Sequence, residues 1–417
     1  MKSIWLITVG EPLPIGREPA NKRMLRTGIL SKKLAARGHS VTWWSSSFDH
    51  THKTHYSDKT DSIITDNGCR IILLHGMSYS KNISIRRIVN HYQVAKAFER
   101  LACQDRKPDI IFCSYPTIEL SLAAVNYGQH NKVPVIIDIR DLWPDIFLDA
   151  FPTYFRCIGK HLLKPYMQMS RRIFQTCSAI TAVSEGYLEW GVSRAGRNKQ
   201  QNDTVYALGY ERIHVDLAFG DNIRSAFTQM GIDESRIICW FVGTFGRTYD
   251  LEPIIEAARM LDKTGCSDIQ FVLSGDGENN RRWRQLAEGL SNVVFTGWIN
   301  SQELAYLLSI ADIGLMAYAK GAPQGFPNKI FEYLSAGIPI ISSLQGETAS
   351  FISVHECGMT YEPGNSNSFL HILEKMLNVD YRGIGNNGRF IFDERYSANV
   401  IYDQLVDYLE NIGNVQS

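Results

Sequence analysis

Gln324-Gly-Phe-Pro-Asn-Lys-Ile-Phe-Glu-Tyr-Leu-Ser-Ala-Gly-Ile-Pro-Ile-Ile341 carries a loop, a helix, a stop and a strand in one short stretch. Pro327 suits a first helical position, where its missing N–H costs nothing, and Gly337 suits the residue just past a helix end. The pattern predicts a helix over 327–336 and a buried strand over 338–342. The open N–H groups of that first turn, with Lys329 and Asn328 beside them, form a candidate site for an anion such as a diphosphate. Glu332 projects from the same end of the helix, and its two acceptor oxygens match a vicinal diol such as a ribose edge. A capped helix with a solvated Glu and Lys accounts for the same residues equally well.

Outward from this stretch, strands and helices alternate. In the second half a strand over 237–242 ends in Gly243-Thr-Phe-Gly246-Arg247, and a helix follows over 251–261. Gly243 and Gly246 would let the backbone approach a phosphate, and Arg247 would bind it through two N–H groups. Strands over 269–274, 293–296 and 313–317 continue the pattern, with Gly275-Asp-Gly277 opening one more turn and helices over 366–378, 381–392 and 397–412 ending the chain.

The first half begins with a strand over 4–9, a loop holding Gly16, a helix to Arg37 and a strand over 41–44. This β-α-β unit starts a doubly wound sheet, whose ligands approach the carboxyl ends of the strands. Gly16 would admit a phosphate or sugar there, although no Gly-x-Gly-x-x-Gly dinucleotide fingerprint is present. Further strands over 70–74, 110–113, 133–139 and 179–183 alternate with helices. The strand over 133–139 runs into Arg140-Asp-Leu-Trp-Pro-Asp145, so Asp138, Arg140, Asp141 and Asp145 are expected to face a crevice. Asp141 is a candidate acid/base group or hydroxyl ligand and Arg140 a candidate anion ligand; a helix cap made by an Asp is the structural alternative. His50, His52 and His55 lie in the polar stretch 45–66, read as a surface loop in preference to a metal site. Over 154–177 apolar and basic residues interleave around Pro165, as in a helix lying on an anionic membrane or in a core helix with a basic outer face.

At 417 residues, two domains are expected, over 1–208 and 209–395, with a last helix over 396–417 returning toward the first. The hydrophobic share of 44% and charged share of 21% are those of a globular protein, and no apolar run reaches bilayer length. The start of the chain reads as a strand and not as an export signal, and the eight scattered cysteines read as reduced residues, so a cytosolic setting is expected. A net charge of zero hides an asymmetry: residues 1–205 hold 28 Lys and Arg against 17 Asp and Glu, and residues 206–417 hold 15 against 26. The basic half implies an anionic partner such as a membrane surface, a phosphorylated acceptor or nucleic acid.

These residues resemble a known family. The stretch 240–341, with Pro327-Asn-Lys329, Glu332-Tyr333 and Ala336-Gly-Ile-Pro339, and also Arg140-Asp-Leu-Trp-Pro-Asp145, is similar to the retaining glycosyltransferases of family 4, in the branch that builds bacterial surface polysaccharides. The resemblance implies the α/β GT-B fold: two Rossmann-like doubly wound parallel-sheet domains facing across a cleft, the second binding a nucleotide sugar. Gln324 and Glu332 occupy the places of the family's Glu-x7-Glu pair, so Glu332 would bind the donor ribose and Gln324 the donor sugar. Arg247 and Lys329 stand nearest to the basic pair that neutralises the diphosphate. The chain departs from the pattern at Thr244, where an Arg is common, at Tyr249-Asp250 in place of Lys-Gly, at the Arg140 region, which lacks a His, and at Gly16, a lone glycine in place of a pair.

The implied activity is transfer of a sugar from a nucleotide-sugar donor to a lipid-linked or saccharide acceptor. The expected catalytic set is Arg247, Lys329 and Asp141; the expected substrate-binding set is Gly16, Arg140, Gly243, Gly246, Gln324, Gly325, Phe326, Asn328 and Glu332. With no Asp-x-Asp pair, metal-independent chemistry without a cofactor is expected, with peripheral contact between the basic domain and the inner face of the plasma membrane, and no nucleic-acid partner. A sugar-nucleotide epimerase or hydrolase of the same fold, or a non-catalytic nucleotide-sugar binder, are the alternatives.

Overall fold

The computed structural model describes residues 1–15, 24–81, 84–150, 156–213, 217–322 and 325–412, so the expectations for Gly16 and Gln324 lie outside the described residues. The chain divides into two compact units, Met1–Leu208 with Ile401–Ser417, and Gly209–Val400.

In the first unit the order is β1 (Ser3–Ile7), α1 (Arg26–Ala36), β2 (Ser40–Ser46), β3 (Phe48–Asp49), β4 (Thr54–His55), β5 (Asp61–Ile64), β6 (Arg70–Leu74), α2 (Ile85–Ala102), β7 (Ile110–Tyr115), α3 (Ile118–Asn131), β8 (Val135–Ile139), α4 (Arg156–Thr176), β9 (Ala179–Ala182), α5 (Glu185–Ala195) and β10 (Thr204–Val205). The main sheet runs β10-β9-β8-β7-β1-β2-β6-β5, parallel except for β5, which pairs antiparallel with β6. β1, β7 and β8 are almost wholly buried, as a parallel sheet covered on both faces requires of its central strands. Trp5 of β1, Trp44 of β2 and Phe98 of α2 meet edge to face, with Trp5 and Trp44 ring centres 4.9 Å apart. The stretch read as a loop over 45–66 is instead folded: β2 extends to Ser46, β3 and β4 pair as a hairpin, and β5 closes the sheet edge. Two-residue strands leave no alternation to read, which is why the sequence hid them.

The second unit contains α6 (Leu217–Gln229), β11 (Ile237–Val242), α7 (Glu252–Lys263), β12 (Ile269–Ser274), α8 (Asn280–Leu286), β13 (Val293–Gly297), α9 (Ser301–Ile310), β14 (Ile313–Met316), α10 (Lys329–Ala336), β15 (Ile340–Ser342), α11 (Glu347–Val354), β16 (Gly358–Thr360), α12 (Ser366–Leu377) and α13 (Tyr381–Ile391). A final helix, α14 (Ala398–Ile412), joins the first unit from Ile401 onward, where Asp403 pairs with Lys33 at 2.9 Å. The second sheet is all parallel, in the order β13-β12-β11-β14-β15-β16. The chain leaves β11 through β12 and β13, then returns to its other side through β14. The strand order therefore reverses between β11 and β14, the place where open α/β sheets leave a crevice at their carboxyl ends.

α10 is fixed over that reversal. The Tyr333 hydroxyl donates to the carbonyls of Trp240 in β11 and Leu315 in β14, at 3.0 and 3.2 Å. A Cβ at Gly314 would lie 2.5 Å from the Tyr333 ring, so only glycine lets the helix settle there. Gly337 ends α10 in the left-handed region at φ 74°, and its N–H reaches the last turn.

Candidate active site

Three glycines shape the strand ends beside α10. A Cβ at Gly275, after β12, would fall 1.8 Å from the Gly243 carbonyl oxygen, and one at Gly277 would fall 2.8 Å from that of Phe245. The two strand-end loops thus meet backbone to backbone, and the Phe245 N–H donates to the Asp276 carbonyl at 2.8 Å. At Gly243 itself a Cβ would stand 2.9 Å from Lys329 Nζ. Gly246 has no such close neighbour.

Lys329 is the first residue of α10 and is 7% exposed. Its ammonium lies 3.9 Å from the ring centre of Phe241 in β11 and 4.3 Å from that of Tyr249 beyond it, with the Tyr318 ring after β14 at 5.7 Å. These rings offer their electron-rich faces to a cation but no full hydrogen-bond acceptor. Among the described residues Lys329 Nζ has no hydrogen-bond partner. Burial drives its pKa down to about 7, against the opposing pull of Glu332 one turn along α10. Sequence reasoning found Lys329 and Glu332 but missed Phe241, Tyr249 and Tyr318, since nothing in their spacing announces a cation.

Asn328 is exposed at the start of α10 with no side-chain cap bond, and the expectation of an open first turn is corrected: the Ile330 and Phe331 N–H groups donate to the Pro327 and Asn328 carbonyls at 3.2 and 3.0 Å. The helix begins two residues later than expected, at Lys329. The Gly325 carbonyl accepts from Thr348 Oγ1 in α11 at 2.5 Å, and Phe326 packs against Phe331, Phe351 and Tyr396. Arg247 stands apart from the cage: its side chain is 90% exposed and pairs with Glu278 at 3.3 Å.

In the first unit the expected cluster after β8 is divided. Asp138 is fully buried and takes both Arg26 nitrogens at 2.9 Å, Arg140 Nε at 2.8 Å and Thr181 Oγ1 at 2.8 Å. Burial pushes the Asp138 carboxyl up, and Arg26 and Arg140 more than reverse this, holding it at about 2. Arg140 also binds Glu11 and Thr27 Oγ1, so its guanidinium is consumed within this network. Asp145 accepts from the Trp190 indole at 2.8 Å and pairs with Arg194. The expectation that these charges face a crevice together is thereby corrected: ion-pair partners over a hundred residues away in sequence close around Asp138 and Arg140. Asp141 differs, half-buried with its carboxylate accepting from the Leu142 N–H and the Trp143 indole, its pKa raised by burial.

Two families match this chain: residues 27–206 match Glycosyltransferase Family 4, and residues 236–378 match the family described as glycosyl transferases group 1. Both matched regions are glycosyltransferase domains. It is 26% identical over 253 residues to the O-antigen chain mannosyltransferase C of Escherichia coli, a match covering 60% of this chain and 64% of that relative. The match to that curated relative thus spans less than two thirds of the relative's length. Sucrose-phosphate synthase from Thermosynechococcus elongatus superposes with a TM-score of 0.69 at 18% identity, over 100% of both chains. The Anabaena protein HepE, solved in complex with UDP, gives 0.65 at 15% identity over 99% of this chain and 100% of that one. These likenesses show the GT-B fold.

Proposed function

We propose that the chain is a retaining glycosyltransferase that moves a sugar from a nucleotide-sugar donor to a lipid-linked or saccharide acceptor in cell-surface polysaccharide synthesis. One observation carries the proposal: a buried ammonium at the strand-order reversal, with no hydrogen-bond partner among the described residues, beside a glycine that keeps the approach open. A diphosphate supplies the anion this arrangement lacks. The two glycosyltransferase domain matches, the O-antigen relative and the UDP complex of HepE support the same reading.

In this account Lys329 binds the diphosphate with Asn328 beside it, and Gly243 and Gly246 admit it. Arg247 turns from Glu278 toward the outer phosphate oxygens. Glu332 binds the ribose, while Gln324, Gly325 and Phe326 border the donor sugar. The anomeric C–O bond breaks toward the diphosphate, which keeps the electron pair. Charge builds there in the transition state, and a desolvated cation stabilises it more than water would. The leaving phosphate takes the acceptor hydroxyl's proton as the new C–O bond forms on the same face of the sugar. Asp141 orients a hydroxyl, Gly16 lines its approach, and Arg140 acts as a positioning residue through Glu11 and Asp138. No metal or cofactor is assigned a part.

No described helix is long and apolar enough to cross a membrane. α4 carries exposed Ile158 and Leu162 among Arg156, Lys160 and Lys164, which supports a peripheral site on an anionic cytoplasmic membrane face.

Incubation with UDP-, GDP- and dTDP-sugars, with and without saccharide acceptors, tests the reading by product mass. Nucleotide release that needs no acceptor would favour a hydrolase or epimerase, and binding without release a non-catalytic binder. Glu332→Gln should weaken UDP binding by about tenfold, since it removes a ribose acceptor and the negative charge that favours the protonated form of Lys329. Calorimetric titration checks this, and an unchanged Kd would take Glu332 out of the site.

A further inference from the structure

A groove of about 1060 Å³ opens in the first unit between β4, the end of β6 and α2, partly in the stretch that the sequence suggested was a plain loop. Two of the side chains that line it, His55 and His75, are joined through Ser47. The Ser47 hydroxyl is fully buried, 3.1 Å from His55 Nδ1 and 3.2 Å from His75 Nδ1, and the two rings stack with centres 4.9 Å apart and 27° between planes. Among the described residues this hydroxyl has no other partner. It carries one proton, and a buried O–H left without an acceptor is costly, so one Nδ1 accepts from Ser47 and the other donates to it. The first ring then holds its own proton at Nε2, and the second, when neutral, leaves Nε2 as a bare acceptor. Burial and the neighbouring His75 ring push the His55 pKa down, with Asp58 opposing, which favours the neutral form. Neither Nε2 has a hydrogen-bond partner among the described residues. Tyr92 of α2 and Met77 line the same groove, 57% and 41% exposed. Charges of both signs border it: Asp58 with Lys59 and Arg100, and Lys96, which pairs with Glu99 at 2.6 Å and stands over the Tyr92 ring at 5.8 Å.

We propose that this groove binds a segment of saccharide, one pyranose laid on Tyr92 with neighbouring hydroxyls paired to the two Nε2 atoms, and that it holds the acceptor chain during transfer. The argument is one of matching. The imidazole pair offers one donor and one acceptor, so an anion meets a lone pair and a cation meets an N–H. A hydroxyl both donates and accepts, and two on adjacent carbons satisfy both rings with no charge to neutralise. The apolar face of a sugar ring covers the Tyr92 and Met77 surface, giving the mix of apolar wall and few convergent polar groups that ligand clefts share. The acceptor role rests on the transferase reading; sugar binding itself is tested without any nucleotide.

Saturation-transfer NMR of the full chain with maltotriose, α-mannotriose and chitotriose is the test. At least one trisaccharide should bind the native chain. Tyr92→Ala should weaken that binding about tenfold with the melting temperature unchanged, since most of the ring is exposed. Ser47→Ala, which leaves both imidazoles free to choose their tautomers, should weaken it about fivefold. A long-range proton–nitrogen NMR spectrum at pH 8 should show His55 and His75 as opposite neutral tautomers in the native chain. The same tautomer for both rings, no trisaccharide bound, or binding untouched by Tyr92→Ala would each overturn the proposal; a Ser–His pin that merely fastens the hairpin to the sheet predicts the last of these. Sugar transfer by a chain that binds no trisaccharide would overturn the groove alone, and trisaccharide binding without transfer would overturn only the transferase reading.

Discussion

Replacing Lys329 with methionine is expected to lower sugar transfer by about a hundred- to a thousandfold while keeping or raising the melting temperature of the ligand-free chain. The two effects have opposite signs because the same ammonium does two things. Without ligand it is buried under Phe241 and Tyr249 with no hydrogen-bond partner among the described residues, which costs stability. With donor bound, it meets the leaving diphosphate in surroundings that water does not screen. Its pKa of about 7 in the folded chain lies below the ordinary 10.5. Between those values the unfolded chain holds the proton and the folded chain does not, so ligand-free stability should rise with pH across that window. Methionine removes that slope. Melting curves at several pH values and a product assay check both halves, and a fall in both stability and activity would mark Lys329 as merely structural.

The largest stability loss is expected from Arg26→Ala. Asp138 is fully buried, and Arg26 supplies two of its hydrogen bonds while also bonding the Tyr206 and Ala207 carbonyls at 3.0 and 2.9 Å. Removing one partner of such a group leaves a buried charge short of compensation, at a cost of about 3–5 kcal/mol. The Asp138 carboxyl, held at about 2, contributes stability that is fully present above its unfolded pKa and is lost as pH falls below it and through about 2. Denaturant unfolding of the variant at neutral pH measures the cost, and a change below about 1 kcal/mol would show that the network is not what holds β8 and α1 together.

The alternation of strand and helix was legible because buried parallel strands read as apolar runs and the helices between them carry their own start and stop residues. Lys329 and Glu332 were legible for a local reason: both sit on one helix with Pro327 and Gly337 marking its ends. What surrounds Lys329 was not. Phe241 and Tyr318 arrive from neighbouring strands, and which strands neighbour each other is decided by sheet order, not by spacing along the chain. Arg140 shows the reverse case. A charged residue at a strand end reads equally as a ligand or as half of an ion pair, and its partner Glu11 lies 129 residues away.

The account turns on whether a nucleotide diphosphate lodges against the Lys329 ammonium, and proton-linked calorimetry asks this directly. UDP is titrated at pH 8 into the chain and into Lys329→Met, in two buffers of different ionisation heat. Lys329 is mostly neutral at that pH without ligand and charged with it, so about one proton should be taken up per UDP by the native chain and none by the variant, which should bind far more weakly. Binding of equal strength in both, with no difference in heat between buffers, would contradict it.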